Sequence, residues 1–458
     1  MIIPKLEKQI GIEIYATKTT GIGGAIRQSV DDFAVEEVLV DGSKAEINNP
    51  AKTQVLGSSP IKNRYLLCIL AKRNWDTFKA VKVTAEQLGI NAERIQFAGI
   101  KDAKAVTAQH ITIEGLSTED IQKVHVKDLE LRPIGYFHNE LSTFYLLGNS
   151  FHIAIGTIKH SKTTIEKRIA KTIEELNAIG GCPNFFGYQR FGTTRSITHL
   201  VGKAIIQGNF KKAVMLFLAN PSPYEHPQSK QAREQLQTTQ NFKDALSIFP
   251  KQLRYERLML RHLTEKSDDF AGAFRRLPPR LQELLPQAYQ SYLFNRFLSR
   301  RIKLKVPLNR AEGGDYVVNL DRTGLPMLTA HRTVNSGNII EINKTIKTGR
   351  MQLALPLIGF KQQPSLETQG EIENKILEEE GLSPQDFRIR EMPEISLRGE
   401  LRTALTALKD FSLGEIAKDA AHPTKCRIDV NFMLNKGSYA TIILRELMKS
   451  RNLIKAGF

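Results

Sequence analysis

The sequence predicts an α+β protein in which strand-forming segments occupy the first and last parts of the chain and a mostly helical region lies between them. Three observations carry this. Short apolar or alternating runs recur through the first 160 positions, as in Tyr65–Ala71, His110–Ile113 and Leu146–Ile155. From about 196 to 394 the pattern turns helical, punctuated by Pro221-Ser222-Pro223 and Pro278-Pro279. Alternation then returns at Cys426–Phe432. At 458 residues the chain is long for a single core, so two or three domains are expected.

Taken in order, Ile12-Glu13-Ile14-Tyr15 reads as a strand, followed by the glycine-rich Gly21–Arg27. Asp32–Val38 alternates apolar and acidic residues, as a half-buried strand does. The glycines resemble a phosphate loop only weakly, because neither a P-loop Lys-Ser/Thr nor a G-x-G-x-x-G follows. Residues 41–62, with Asp41-Gly42 and Gly57-Ser58-Ser59-Pro60, read as a hairpin loop or excursion. Asp76-Thr77 caps a helix that runs to Leu88 and stops at Gly89.

Between the short strands Ile95–Phe97 and His110–Ile113 the chain slows into Ala98–Gln109. Gly99 permits an unusual backbone angle or a close approach. Asp102 is placed on a turn at a sheet edge, flanked by Lys101 and Lys104, where neighbouring cations favour its ionised form. On residue types alone this could equally be an Asx-turn between two solvated lysines.

Leu146–Ile155 is a strand whose Phe151 is either a core aromatic or a platform for a base. An amphipathic helix over 162–179 leads to Gly181–Gly192, where aromatics interleave with Asn184, Gln189 and Arg190. Those three polar side chains can address ribose, phosphate or a uracil edge. In the middle region, helices are expected at Leu253–Leu263 and Leu281–Arg301, with short strands near 315–320 and 338–342. After the Cys426–Phe432 strand, Ser438 is the expected N-cap of a helix over Tyr439–Leu447.

The net charge of +17 and pI near 9.6 point to a polyanionic partner, and the cations are spread along the chain as for a charged groove or face. Cys68, Cys182 and Cys426 are far apart with no CxxC pair, which argues against disulfides and structural zinc and for core thiols in a reducing compartment. No apolar run approaches a membrane span and no signal pattern opens the chain, so a cytoplasmic location is expected.

Ala98-Gly99-Ile100-Lys101-Asp102-Ala103-Lys104-Ala105-Val106-Thr107-Ala108-Gln109 resembles the AGxKDxxAxTxQ signature of TruD-type tRNA pseudouridine synthases. Further blocks are similar in the same order: Gly23–Arg27 with Asp31–Glu37, Gly148–Phe151, Pro183–Gly192, and Gly437–Glu446, where Asn435 stands in place of a usual proline. Asn74-Trp75-Asp76-Thr77 resembles the archaeal version, and Phe137–Glu140 departs from the family's basic pattern. The resemblance implies a discontinuous pseudouridine synthase catalytic domain, with a mixed or antiparallel sheet and helices, over 1–195 and 395–458. An inserted α/β TRUD domain would occupy 196–394. It implies Asp102 as the catalytic residue. Substrate or RNA contacts would fall to Arg27, Lys101, Asn149, Phe151, Asn184, Gln189 and Arg190, with Phe151 stacking on the target base and Arg27 or Arg190 facing Asp102. Uridine-13 of tRNA is the expected target, the expected partner is tRNA alone, and the enzyme is expected to be a monomer. The reaction neither oxidises nor adds a group, so no cofactor or metal is implied. A catalytically idle RNA-binding module would keep the charge and aromatics but be indifferent to Asp102. A synthase acting on other RNA is the other alternative, whereas a methyltransferase would need a glycine-rich cofactor loop that is not found.

Overall fold

The computed structural model describes residues 1–48 and 55–458. Residues 49–54 of the expected 41–62 excursion lie outside the described residues. On either side, the Gly42 amide closes a turn on the Leu39 carbonyl, and Val55–Gly57 is a kinked turn in which Leu56 takes the left-handed conformation, with φ 52°.

The chain divides into two compact units, one of residues 17–182 and 406–458, the other of residues 1–16 and 183–405. Both are therefore discontinuous in sequence. The divisions fall at 182/183 and 405/406, rather than at 195/196 and 394/395, and residues 1–16 go with the central segment.

The first unit is built on one sheet. Its strands are β1 (Phe33–Leu39), β2 (Tyr65–Arg73), β3 (Ile95–Phe97), β4 (Val106–Glu114), β5 (Leu129–Phe137), β6 (Leu146–Ile158), β7 (Lys409–Leu413), β8 (Ala417–Lys418) and β9 (Cys426–Asn435). The main path runs β7-β9-β6-β1-β4-β2-β5, with β3 on β4 and β8 on β9. All described pairings are antiparallel except β1 with β4. The sheet is thus mixed, and the late strand β9 sits inside it, beside β6.

The Thr77–Leu88 helix begins where the sequence places it: Asp76 accepts from the Lys79 amide at 3.1 Å, and Gly89 takes the left-handed conformation that stops it. Its Ala80, Val81 and Ala85 close over Leu66, Cys68 and Leu70 of β2 and Ile111 and Ile113 of β4, forming the apolar core of this half of the sheet. The second helix, Lys162–Ala178, buries Ile165, Ile169 and Leu176 at helical spacing.

The second unit holds helices from Thr198 to Lys303 and a four-stranded antiparallel sheet in the order Glu400–Thr403, Met351–Leu357, Tyr316–Leu320, Pro326–Thr333. The Pro279–Lys303 helix buries Arg301 in a two-pronged ion pair with Asp315, at 2.7 and 2.8 Å.

Several expectations need correction. Ile12–Tyr15 forms no strand; it runs extended, and the Glu13 amide is taken by the Ser299 hydroxyl of a helix rather than by a strand partner. The expected strand near 338–342 is the helix Ile339–Lys347, because Ile339, Ile342 and Ile346 repeat at helical rather than strand spacing. The last helix starts at Ala440 with Tyr439 as its cap residue, and the Ser438 hydroxyl bonds to that of Thr406 instead. Cys68 and Cys182 are buried free thiols, whereas Cys426 is half-buried.

Candidate active site

The loop between β3 and β4 carries Asp102, and four neighbours fix its backbone. The Lys101 amide donates to Thr77 Oγ1 at 3.1 Å, from the first residue of the helix that follows β2. Gln109 Nε2 donates to the Gly99 carbonyl at 2.9 Å, and the Asn74 amide to that of Ala105 at 3.0 Å. Lys72, at the end of β2 and 2 % exposed, donates from Nζ to the carbonyls of Asp102 and Trp75, at 3.0 and 2.7 Å. Gly99 serves close approach rather than an unusual angle. A side chain there would begin 3.2 Å from the Lys101 ammonium and 3.3 Å from Leu146.

With the backbone held this way, the Asp102 side chain stays 36 % exposed and, among the described residues, forms an ion pair with Arg27 at 3.6 Å. Arg27 itself is left-handed, with φ 56°, a conformation rare outside glycine. Its guanidinium lies over the Phe33 ring, 4.1 Å from the centroid. Burial pulls Arg27 below its ordinary pKa, opposed by Asp102. Burial likewise brings Lys72 down to about 8, with the charges of Asp102 and Asp76 resisting.

Strand register explains what shares this neighbourhood. Val35 pairs with Phe151 of β6 on one side and Thr107 of β4 on the other; Thr107 pairs with Lys72, and Phe151 with Phe432 of β9. Paired residues point to the same face of a sheet, and residues two apart on a strand share it. Lys72, Thr107, Gln109, Phe33, Val35, Glu37, Asn149, Phe151 and Phe432 therefore line one face, where the Asp102 loop is anchored. Three buried polar atoms here, Asn149 Oδ1, Thr107 Oγ1 and Arg27 Nε, have no protein hydrogen-bond partner among the described residues. Such atoms are costly unless a ligand or water meets them.

Of the expected site residues, Arg27, Lys101, Asp102, Asn149 and Phe151 are thus brought together. Phe151 is 6 % exposed, edge-on to Phe33 and tilted against Phe432, so its ring meets aromatic neighbours rather than an open cleft. Lys101 is not a solvated RNA contact. Its ammonium is buried against Glu37 at 2.6 Å, with the two side chains 3 % and 0 % exposed, because Glu37 on the same face demands a counter-charge. Burial raises the Glu37 pKa, but Lys101 and His110 outweigh it and hold the carboxylate below its ordinary value.

Asn184, Gln189 and Arg190 belong to the other unit. Asn184 is buried, donating to Thr403 and accepting from Arg402 at 2.6 Å, while Arg190 donates to Ser291 and Gln287. Gln189 is exposed. Glu37 and Lys72 escaped the sequence reading. The signals were there: adjacent glutamates inside a strand, and a lysine closing an otherwise apolar one. Among the described residues, no cluster of His, Cys, Asp and Glu is placed to hold a metal ion, and no helix is long and apolar enough to cross a membrane.

The family model for tRNA pseudouridine synthase D (TruD) matches residues 9–447. The chain belongs to the TruD family. A Methanosarcina mazei relative named tRNA pseudouridine synthase D is 40 % identical over 450 residues, covering 98 % of both chains. One from Pyrococcus abyssi is 34 % identical, covering 95 % of this chain and 98 % of its own. A crystal structure of TruD from Methanosarcina mazei superposes with a TM-score of 0.83 at 39 % identity, covering 98 % of this chain and 99 % of the other. The TruD match spans both compact units.

Proposed function

We propose that this protein isomerises uridine to pseudouridine in tRNA, at uridine-13, with Asp102 as the catalytic carboxylate. The observation that carries the reading is one accessible carboxylate on a rigidly pinned loop, paired with a single guanidinium above an aromatic cluster. Pseudouridine formation breaks the ribose–uracil bond, turns the base and rejoins it through carbon. It needs one carboxylate oxygen within reach of the ribose, whether to attack C1′ or to take a proton at C2′. It transfers no electrons to or from the enzyme and requires no external group.

The target uridine must leave its stack, at a cost of a few kcal/mol. Arg27 offers both a charge for Asp102 and an unused Nε donor, while Asn149 Oδ1 and Thr107 Oγ1 are available to a base edge. Phe151 supports the reading as part of the aromatic floor, and a flipped base would stack there once the rings of Phe33 and Phe432 part. The unit of residues 17–182 and 406–458 is then the catalytic domain. Because it holds the whole Asp102 constellation, one copy of the chain suffices for the reaction.

The test is incubation of the purified protein with a uridine-labelled tRNA transcript, without cofactors, followed by nucleoside analysis and mapping of the product. Pseudouridine at position 13 is expected. Tight tRNA binding with no pseudouridine at any position would place the chain among idle RNA-binding modules.

A further inference from the structure

A cavity of about 530 Å³ lies in the first unit, away from Asp102, and its chemistry is one-sided. One wall is the glycine segment Gly21–Ala25; the other is the segment after the last helix, including Ser450, Arg451 and Lys455. No lining residue is acidic. Asp419, which accepts from the Thr157 amide at 2.7 Å, is not part of the lining. The carbonyls of Leu447 and Met448, the negative end of that helix, are covered by the amides of Ile22 and Gly23 at 3.0 Å each. Lys449 is spent on Thr17 and Thr19.

What remains is a set of donors. Arg451 and Lys455 are exposed and make no ion pair with a described residue. The Ser450 hydroxyl is buried without a partner. Arg168 donates to His160 Nε2 at 2.8 Å, so the neutral ring carries its proton on Nδ1 and is a donor too. Burial and Arg168 both keep His160 below its ordinary pKa, hence neutral. Arg168 also holds the Gly21 carbonyl at 2.8 Å, turning that acceptor away. A hydroxyl, an imidazole N–H, a guanidinium and an ammonium, with no acid among them, suit a tetrahedral oxyanion.

The fold also sets the distance to the reacting centre. Ala25, on the cavity wall, pairs with Gly156 of β6, while Phe33 beneath Arg27 pairs with Ile153. The two points are three residues apart on one strand, roughly 10 Å. Arg27 itself follows Ala25 by two residues. We propose that this cavity binds a backbone phosphate of the RNA strand that carries the target uridine, fixing that strand against the segment that delivers Arg27 to Asp102. This rests on the tRNA-modifying reading above.

The test is the double variant Arg451→Ser, Lys455→Ser, with Lys344→Ser, Lys347→Ser on an exposed helix of the other unit as an equal-charge control. The dissociation constant for tRNA is measured across salt concentrations. Losing the two cations that face this one phosphate should flatten the salt slope by about 0.7–0.9 and weaken binding several-fold at physiological salt. A slope equal to wild type, or a loss no larger than the control's, overturns the proposal. Melting temperature with inorganic phosphate at fixed ionic strength is the second arm. If phosphate stabilises the wild type but not the double variant, while tRNA affinity is equal in both, the cavity takes a free anion and the proposal is again overturned. Pseudouridine analysis of the wild type keeps the two readings apart. A protein that forms none, yet loses the predicted slope in the variant, refutes the functional reading and leaves the phosphate site standing.

Discussion

Lys101→Met separates a structural lysine from an RNA-contacting one. The substitution keeps the length of the aliphatic stem but removes the ammonium that lies 2.6 Å from Glu37 Oε1. The stranded carboxylate has no exposed surface and, among the described residues, keeps the His110 amide at 2.9 Å and the His110 ring at 3.3 Å. Breaking a buried pair from one side costs about 3–5 kcal/mol, because the remaining charge stays uncompensated. For a domain of this size, each kcal/mol moves the melting temperature by about 2–4 °C, so a fall of roughly 6–20 °C is expected. Glu37→Gln combined with Lys101→Met keeps an acceptor for the His110 amide and removes both charges, so most of the loss should be recovered. The pH dependence has a definite sign. Glu37 is held below its ordinary value of 4.5, so its contribution is full above that pH and is lost as pH falls through the lower folded value. The wild type should therefore lose stability below pH 4.5 more steeply than the double variant. Calorimetry across pH, with tRNA affinity measured on the same samples, decides the matter. A Lys101→Met protein with unchanged melting temperature and weakened tRNA binding would refute the structural assignment.

Three further outcomes follow from the same neighbourhood. Asp102→Asn should lower the single-turnover rate by about a hundredfold or more while leaving tRNA affinity unchanged, and a variant retaining a tenth of the rate would sink the assignment. Lys72, brought down to about 8 by burial, binds fewer protons folded than unfolded between that value and its ordinary 10.5. Wild-type stability relative to Lys72→Met should accordingly rise with pH across that window, as melting curves at pH 7 and 10 will report. Phe151→Ala removes a ring packed between Phe33 and Phe432 and should cost about 3–5 kcal/mol. Its single-turnover rate, measured where the variant is still folded, tells whether the ring also stacks on uracil: an unchanged rate makes it a packing residue alone.

Much of this site was legible because its signals are local. Asp76 and Gly89 mark the ends of a helix by their own side chain and backbone, and the Asp102 loop is bounded by two short strands. Segments whose fate depends on distant partners were not. Ile12–Tyr15 looks like a strand in isolation, but its Glu13 amide bonds to a serine 286 positions away. Lys101 looks solvated beside Lys104 until Glu37 is known to lie beneath it, and that follows from parallel pairing of β1 with β4, which no periodicity encodes. Asn184 carries the polar signature of a binding residue, yet its amide is consumed by Thr403 and Arg402.

The position of β9 has a consequence for how the protein is made. It lies between β6 and β7, yet it is synthesised nearly three hundred residues after β6. During translation β6, thirteen residues long and largely apolar, is therefore an open edge that can recruit other extended chains. The aromatic floor is incomplete over the same interval, since Phe432 arrives only with β9. The nascent polypeptide thus carries Asp102 before its aromatic floor is complete, and ribosome-bound chains stopped short of residue 426 should be aggregation-prone and form no pseudouridine. Rescue would require β9 together with the buried helix Ala440–Met448 that follows it, which makes residues 406–458 supplied in trans a candidate for complementation.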